Sequence, residues 1–144
     1  MISSPQAELQ KLIYLTLSND AGVMALANDI FDPVPPQPFD AFTVGTKNGY
    51  VSFGPTQVIN DDADCVTGGE HYFQIDCWSR EVGFPHCKRM VDAVAVALND
   101  RQDLELADNA LVGISVENRN VFRDPDGLTS HGVLSVRAWI EESD

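Results

Sequence analysis

Basic residues are scarce in this chain. Of 144 residues, nine are Lys or Arg against 22 Asp or Glu, a formal charge of −13. Before residue 80 the only bases are Lys11 and Lys47. Tight grip on nucleic-acid phosphates is driven by Lys and Arg, so this balance excludes a function built on it. Cysteine is equally sparse. Cys65, Cys77 and Cys87 form no CxxC pair, and an odd count argues for free thiols in a reducing compartment. A zinc site from Cys77, Cys87, His71 and His86 would match no common ligand spacing. No apolar run approaches the roughly 20 residues of a membrane span. The first five residues lack a basic and an apolar region, so no secretory signal is expected.

The motifs that carry chemistry are missing too. There is no G-x-S-x-G elbow, and Gly68-Gly69 precede a strand pattern, not a phosphate-binding helix. His71, His86 and His131 fall in different elements, with nothing joining them to Asp76 as an acid–base set. Asn60 to Asp64 lacks the glycine and the terminal glutamate of an EF-hand loop. The expectation is a protein that is not an enzyme and binds no cofactor or metal.

What is present is enough for one packed core: 44% of residues are hydrophobic, and the length favours a single domain over 1–144. Ser4-Pro5 reads as a helix start, a capping residue followed by proline at the first helical position. Leu9, Leu12, Ile13, Thr16 and Leu17 follow at helical spacing. Ser18-Asn19-Asp20 breaks this helix and caps a short one from Ala21 to about Ala27. Ile30-Phe31-Asp32 is a short strand that stops at a segment with four prolines, Pro33, Pro35, Pro36 and Pro38. Phe42 to Gly45 reads as the next strand. Lys47 to Asn60 reads as a strand interrupted at Gly54-Pro55.

Glu70 to Ser79 is a stronger strand. His71, Phe73, Ile75 and Cys77 share one face; Tyr72, Gln74, Asp76 and Trp78 share the other. Large groups on both faces suit a central strand, or one whose second face meets another subunit. Pro85 opens the main helix, with Cys87, Met90, Val91, Val94, Ala97 and Leu98 in one apolar stripe. Leu104, Leu106 and Ala107 read as a short extended piece. From Val112 to Ile140 two alternating runs flank Asp124-Pro125-Asp126-Gly127, which suits a type I turn position by position. Leu134, Val136, Ala138 and Ile140 face one way; Ser135, Arg137, Trp139 and Glu141 face the other. The order predicts an α+β fold, an antiparallel sheet with helices packed on one face.

Two segments together resemble a known family. The first is Tyr72 to Gly83, with Trp78-Ser79-Arg80 after a strand and a long Ala/Val-rich helix beyond it. The second is Arg123-Asp124-Pro125-Asp126-Gly127 with Thr129, His131 and Gly132 before the last strand. In this order, with the N-terminal helix, the Ile30 to Pro35 step and the Phe42 to Gly45 strand, they resemble the DUF3168 family of tail-completion, or tail-terminator, proteins of long-tailed phages and gene transfer agents. The likeness spans nearly the whole chain, and Thr46 to Cys65 departs from it most.

The resemblance implies a structural virion protein, assembled in the bacterial host cytoplasm. It implies a homo-oligomeric ring, commonly a hexamer, on the head-proximal end of the tail tube. Its partners would be the tube protein and a head-completion or stopper protein, with DNA passing through but not tightly bound, and no membrane. The alternatives are a head-side neck (stopper or connector) protein, and a small acidic enzyme or ligand-binding domain. Candidate subunit or tube contacts are Tyr72, Trp78, Arg80, Arg123, Asp124, Asp126, His131, Arg137 and Trp139, since aromatic residues and Arg anchor interfaces. Arg123 with Asp124 or Asp126 could equally brace the turn. An acidic channel wall would repel DNA phosphates, and Asp61, Asp62, Asp64, Asp100, Asp103 and Asp108 are the candidates for it.

Overall fold

Each element begins where the sequence supplies a cap, a turn or a strand partner. The structure is a computed structural model that describes residues 4–39, 46–62, 67–99 and 101–143. Helix α1 (Pro5–Ser18) starts because the Ser4 hydroxyl accepts the Ala7 N–H. Helix α2 (Ala21–Met24) starts because the Asp20 carboxylate accepts the Val23 N–H. Strand β1 (Ile30–Phe31) follows, then β2 (Gly49–Asn60), β3 (Gly68–Ser79), helix α3 (Pro85–Leu98), β4 (Ala110–Arg123) and β5 (Ser130–Glu141).

The five strands form one sheet in the order β1-β2-β3-β5-β4. Pairing is antiparallel except at β1, which runs parallel to β2 through Ile30↔Val51 and Phe31↔Ser52. Strand β3 is central, as its two-faced composition predicts. Helix α3 lies on β3, β4 and β5 and is flanked by α1 and α2. Its predicted stripe, Cys87, Met90, Val91, Val94, Ala97 and Leu98, is buried in full. It meets Phe73, Ile75, Cys77, Leu134, Val136, Ala138 and Ile140 from the strands. Burying one such aliphatic side chain stabilises the fold by about 1.5–3 kcal/mol. Gly132 lets α3 approach this closely: a Cβ there would lie 2.3 Å from Val91 Cγ2.

Several local readings are corrected. Strand β2 is not interrupted at Gly54-Pro55; it runs unbroken, and its pairing to β3 shifts between Phe53 and Thr56. The bulge takes up one extra residue, and it lies beyond the short β1, at the sheet's edge, where a residue without an N–H is tolerated. Helix α2 stops at Met24, earlier than Ala27. Leu104, Leu106 and Ala107, read as a short extended piece, lie in the α3–β4 connection. The strand predicted over Phe42 to Gly45 lies outside the described residues, as does Cys65. Cys77 and Cys87 are buried, and burial pushes the Cys77 thiol well up and the Cys87 thiol up to about 11.

Candidate functional site

Among the described residues no helix covers the second face of the sheet, and the side chains there are of a different kind. Strand register places Tyr50 beside Trp78, Trp78 beside His131 and His131 beside Phe122. The result is a row of rings across four strands. Phe39 meets Tyr50 edge-on at 5.0 Å, Tyr50 stacks on Trp78 at 6.0 Å, Trp78 on His131 at 3.8 Å, and Phe122 leans on His131 at 4.9 Å. Polar bonds fix the row. Trp78 Nε1 donates to Ser52 Oγ at 3.0 Å, and His131 Nε2 donates to the buried Asp76 Oδ1 at 2.7 Å. Gln74 Nε2 donates to the same oxygen at 2.9 Å. Burial raises the Tyr50 pKa above its ordinary value.

A second cluster lies further along β3 and β5. The Arg137 guanidinium sits 3.7 Å from the Trp139 ring centroid and 5.9 Å from that of Tyr72. Glu70 accepts from Tyr72 Oη at 2.7 Å, from Trp139 Nε1 at 3.1 Å and from Arg137. Glu117 approaches Arg137 at 3.5 Å. The Tyr72 hydroxyl first, and Arg137 second, hold the Glu70 carboxyl below its usual range. Arg137 Nε is buried without a hydrogen-bond partner. Tyr72, Arg137 and Trp139 are thus brought together, as the strand alternation alone could not show.

The remaining candidates gather at the β4–β5 turn. Gly127 N donates to Asp124 O at 3.0 Å, and Gly127 takes φ +73°, a conformation suited to glycine. The Asp126 carboxylate accepts the Leu128 and Thr129 N–H groups and the Thr129 hydroxyl. The Thr129 hydroxyl is the main cause of its lowered pKa. Arg80 lies over the Phe39 ring at 4.4 Å and reaches Thr129 Oγ1 at 3.4 Å. Arg123 pairs with neither Asp124 nor Asp126: it lies over Phe84 at 4.6 Å and reaches Ser130 Oγ, so the turn is braced by Asp126 instead. His131 belongs to β5 and not to the connection, which runs from Asp124 to Thr129.

The acidic candidates separate. Asp61 and Asp62 follow β2, and Asp108 precedes β4, at the same end of the sheet as Glu141 and Glu142. Asp103 is held by Arg101 at 2.7 and 2.8 Å, and that bond lowers its pKa to about 2. Its charge is therefore compensated. Asp64 and Asp100 lie outside the described residues.

Sequence reasoning missed two pairs, Asp76–His131 and Ser79–His86. His86 Nε2 lies 2.9 Å from the Leu26 carbonyl, which can only accept, so Nε2 carries the proton and Nδ1 accepts the Ser79 hydroxyl at 2.7 Å. Ser79 is fully buried, and through His86 the bond ties the end of β3 to Leu26, two residues past α2. It is a structural tie, not an accessible nucleophile. No group of three or more His, Cys, Asp or Glu side chains that could hold a metal occurs among the described residues.

The family model described as tail completion protein gp17 matches residues 11–141. The chain belongs to that family. Among solved structures, a chain from the virion of a native gene transfer agent particle has the same fold, with a TM-score of 0.81 and 30% identity. The match covers 96% of this chain and 99% of that one. No curated protein matches. As a tail completion family member the chain is a structural protein of a phage-like tail and not an enzyme. Trp78, Arg80 and the Asp124–Gly127 turn, which carried the family likeness in the sequence, meet at one end of the uncovered face, while Arg123 lies on the helix side over Phe84.

Proposed function

We propose that this protein caps the head-proximal end of a phage-like tail tube as a ring, stops tube polymerisation and offers the surface for head joining. The observation that carries the reading is the whole-chain likeness to a chain of a gene transfer agent virion. A sheet face that no described helix covers suits a protein that completes its packing only on assembly. On this reading Tyr72, Trp78, Arg137 and Trp139 are contact groups for a neighbouring subunit or the tube, and Arg80, Arg123, Asp124, Asp126 and His131 shape the contact at the turn. The ring is a hexamer of one-domain subunits, and the genome passes through it. A net charge of −13 keeps the passing DNA from sticking.

The test is genetic and microscopic. Deleting the gene should leave tails of uncontrolled length, and the purified protein should bind the ends of isolated tail tubes. Binding to portal complexes and not to tube ends would replace this reading with a head-side stopper.

A further inference from the structure

Charge is unevenly divided along the strand axis. The end with the Asp124–Thr129 turn also carries Lys47, Arg80, Lys88 and Arg123. Among the described residues none of these four has a carboxylate within 4 Å. Arg80, Lys88 and Arg123 instead lie over the rings of Phe39 and Phe84. Three acids are interleaved with these four bases, Glu81, Asp124 and Asp126, and Asp126 is taken up by the turn. The opposite end carries Asp61, Asp62, Asp108, Glu141 and Glu142, and its nearby base, Arg101, is committed to Asp103.

Each end also exposes aliphatic side chains. Val82 is 97% and Leu128 69% exposed at the turn end, while Ile59 is 47% and Val112 62% exposed at the acidic end. Solvated charges alone would need no such neighbours. Aliphatic groups beside charges of one sign, facing aliphatic groups beside the other, are the makings of a contact.

We propose that the turn end of one copy docks on the acidic end of a second copy, Lys88 and Arg123 facing Asp61 and Glu141. The inference rests on the ring reading above and names the contact that would build the ring. Two acidic ends repel, so their pairing is disfavoured and a head-to-tail contact is selected, which closes by rotation. It also assigns Asp61, Asp62 and Asp108 to the subunit contact and away from the channel wall.

The test uses two full-length proteins, Lys88→Glu with Arg123→Glu, and Asp61→Lys with Glu141→Lys. All four positions are exposed, so the fold should persist, with circular dichroism as the check. Sedimentation is measured for wild type, each variant, their equimolar mixture and the fourfold variant, with and without tail tubes. Each double variant alone should associate at least about tenfold more weakly than wild type. The mixture and the fourfold variant should recover association, and high salt should weaken it. Both double variants remain net negative, so bulk attraction cannot produce the recovery. Wild-type assembly that the double variants match, or that the mixture fails to restore, overturns this contact and leaves the ring reading standing. If wild type, mixture and fourfold variant all stay monomeric even at tube ends, both readings fall.

Discussion

The two faces of the sheet are built from opposite materials. Under α3 the side chains are aliphatic: Ile75, Leu134, Val136, Ala138 and Ile140 interdigitate with Met90, Val91, Val94 and Leu98. Across the uncovered face they are aromatic, charged and bonded to one another: Tyr50, Trp78 and His131 in a row, then Tyr72, Arg137 and Trp139 around Glu70. The aliphatic face has nothing to satisfy except contact, and the helices supply it. The other face must hold its polar groups in place while still meeting water, so they are tied to one another within β3 and across to neighbouring strands. What differs is the source of order, volume filling on one side and directional bonds on the other.

The largest effects should come from the filled side. Leu134→Ala leaves a cavity under α3 and should cost about 3 kcal/mol in urea unfolding. Gly132→Ala tests the same face in the opposite sense. Its Cβ would meet Val91 Cγ2, and the strain should cost about 2 kcal/mol. On the uncovered face, Asp76→Ala orphans the donors of His131 and Gln74 and should cost about 1–3 kcal/mol, seen as loss of near-ultraviolet ellipticity from Trp78 together with a lower midpoint. Arg137→Ala should separate the faces most sharply. Its thermal midpoint should fall less than that of Leu134→Ala, while binding to tube ends or to other copies falls sharply. A large stability loss with assembly intact would reverse that assignment.

The smallest effect expected is with pH. Burial holds the His71 pKa below its ordinary value near 6.5, against a smaller opposing pull from Glu142. The folded state therefore refuses a proton that the unfolded chain accepts. Stability from this source is present above about pH 6.5 and declines as pH falls below it. His71→Gln should flatten the thermal midpoint between pH 7 and pH 5 relative to wild type.

Much of this was legible from period and punctuation. The alternation at Leu134 to Ile140, the stripe from Cys87 to Leu98 and the capped starts at Ser4 and Asp20 each depend on residues a few positions apart. Local rules reach that far. Gly54-Pro55 misled because a break signal in isolation is a bulge when a full-length partner strand templates both sides. His131 misled because its place in β5 depends on pairing with Trp78, more than fifty residues earlier. Arg123 was expected to brace a turn that Asp126 closes by itself.

By itself, then, the sequence determined the elements, the buried face of each, the family likeness carried by Trp78 to Arg80 and Arg123 to Gly132, and the surplus of acid. Periodicity, capping and charge are properties of neighbouring residues, and no fold is needed to read them. Only the tertiary structure decided that Tyr50, Trp78, His131 and Phe122 form one row, that Asp103 is neutralised while Asp61 and Asp62 are not, and that unpaired bases and acids sit at opposite ends of the sheet. Those facts depend on strand register and on where the chain reverses, which bring together groups that no local spacing connects.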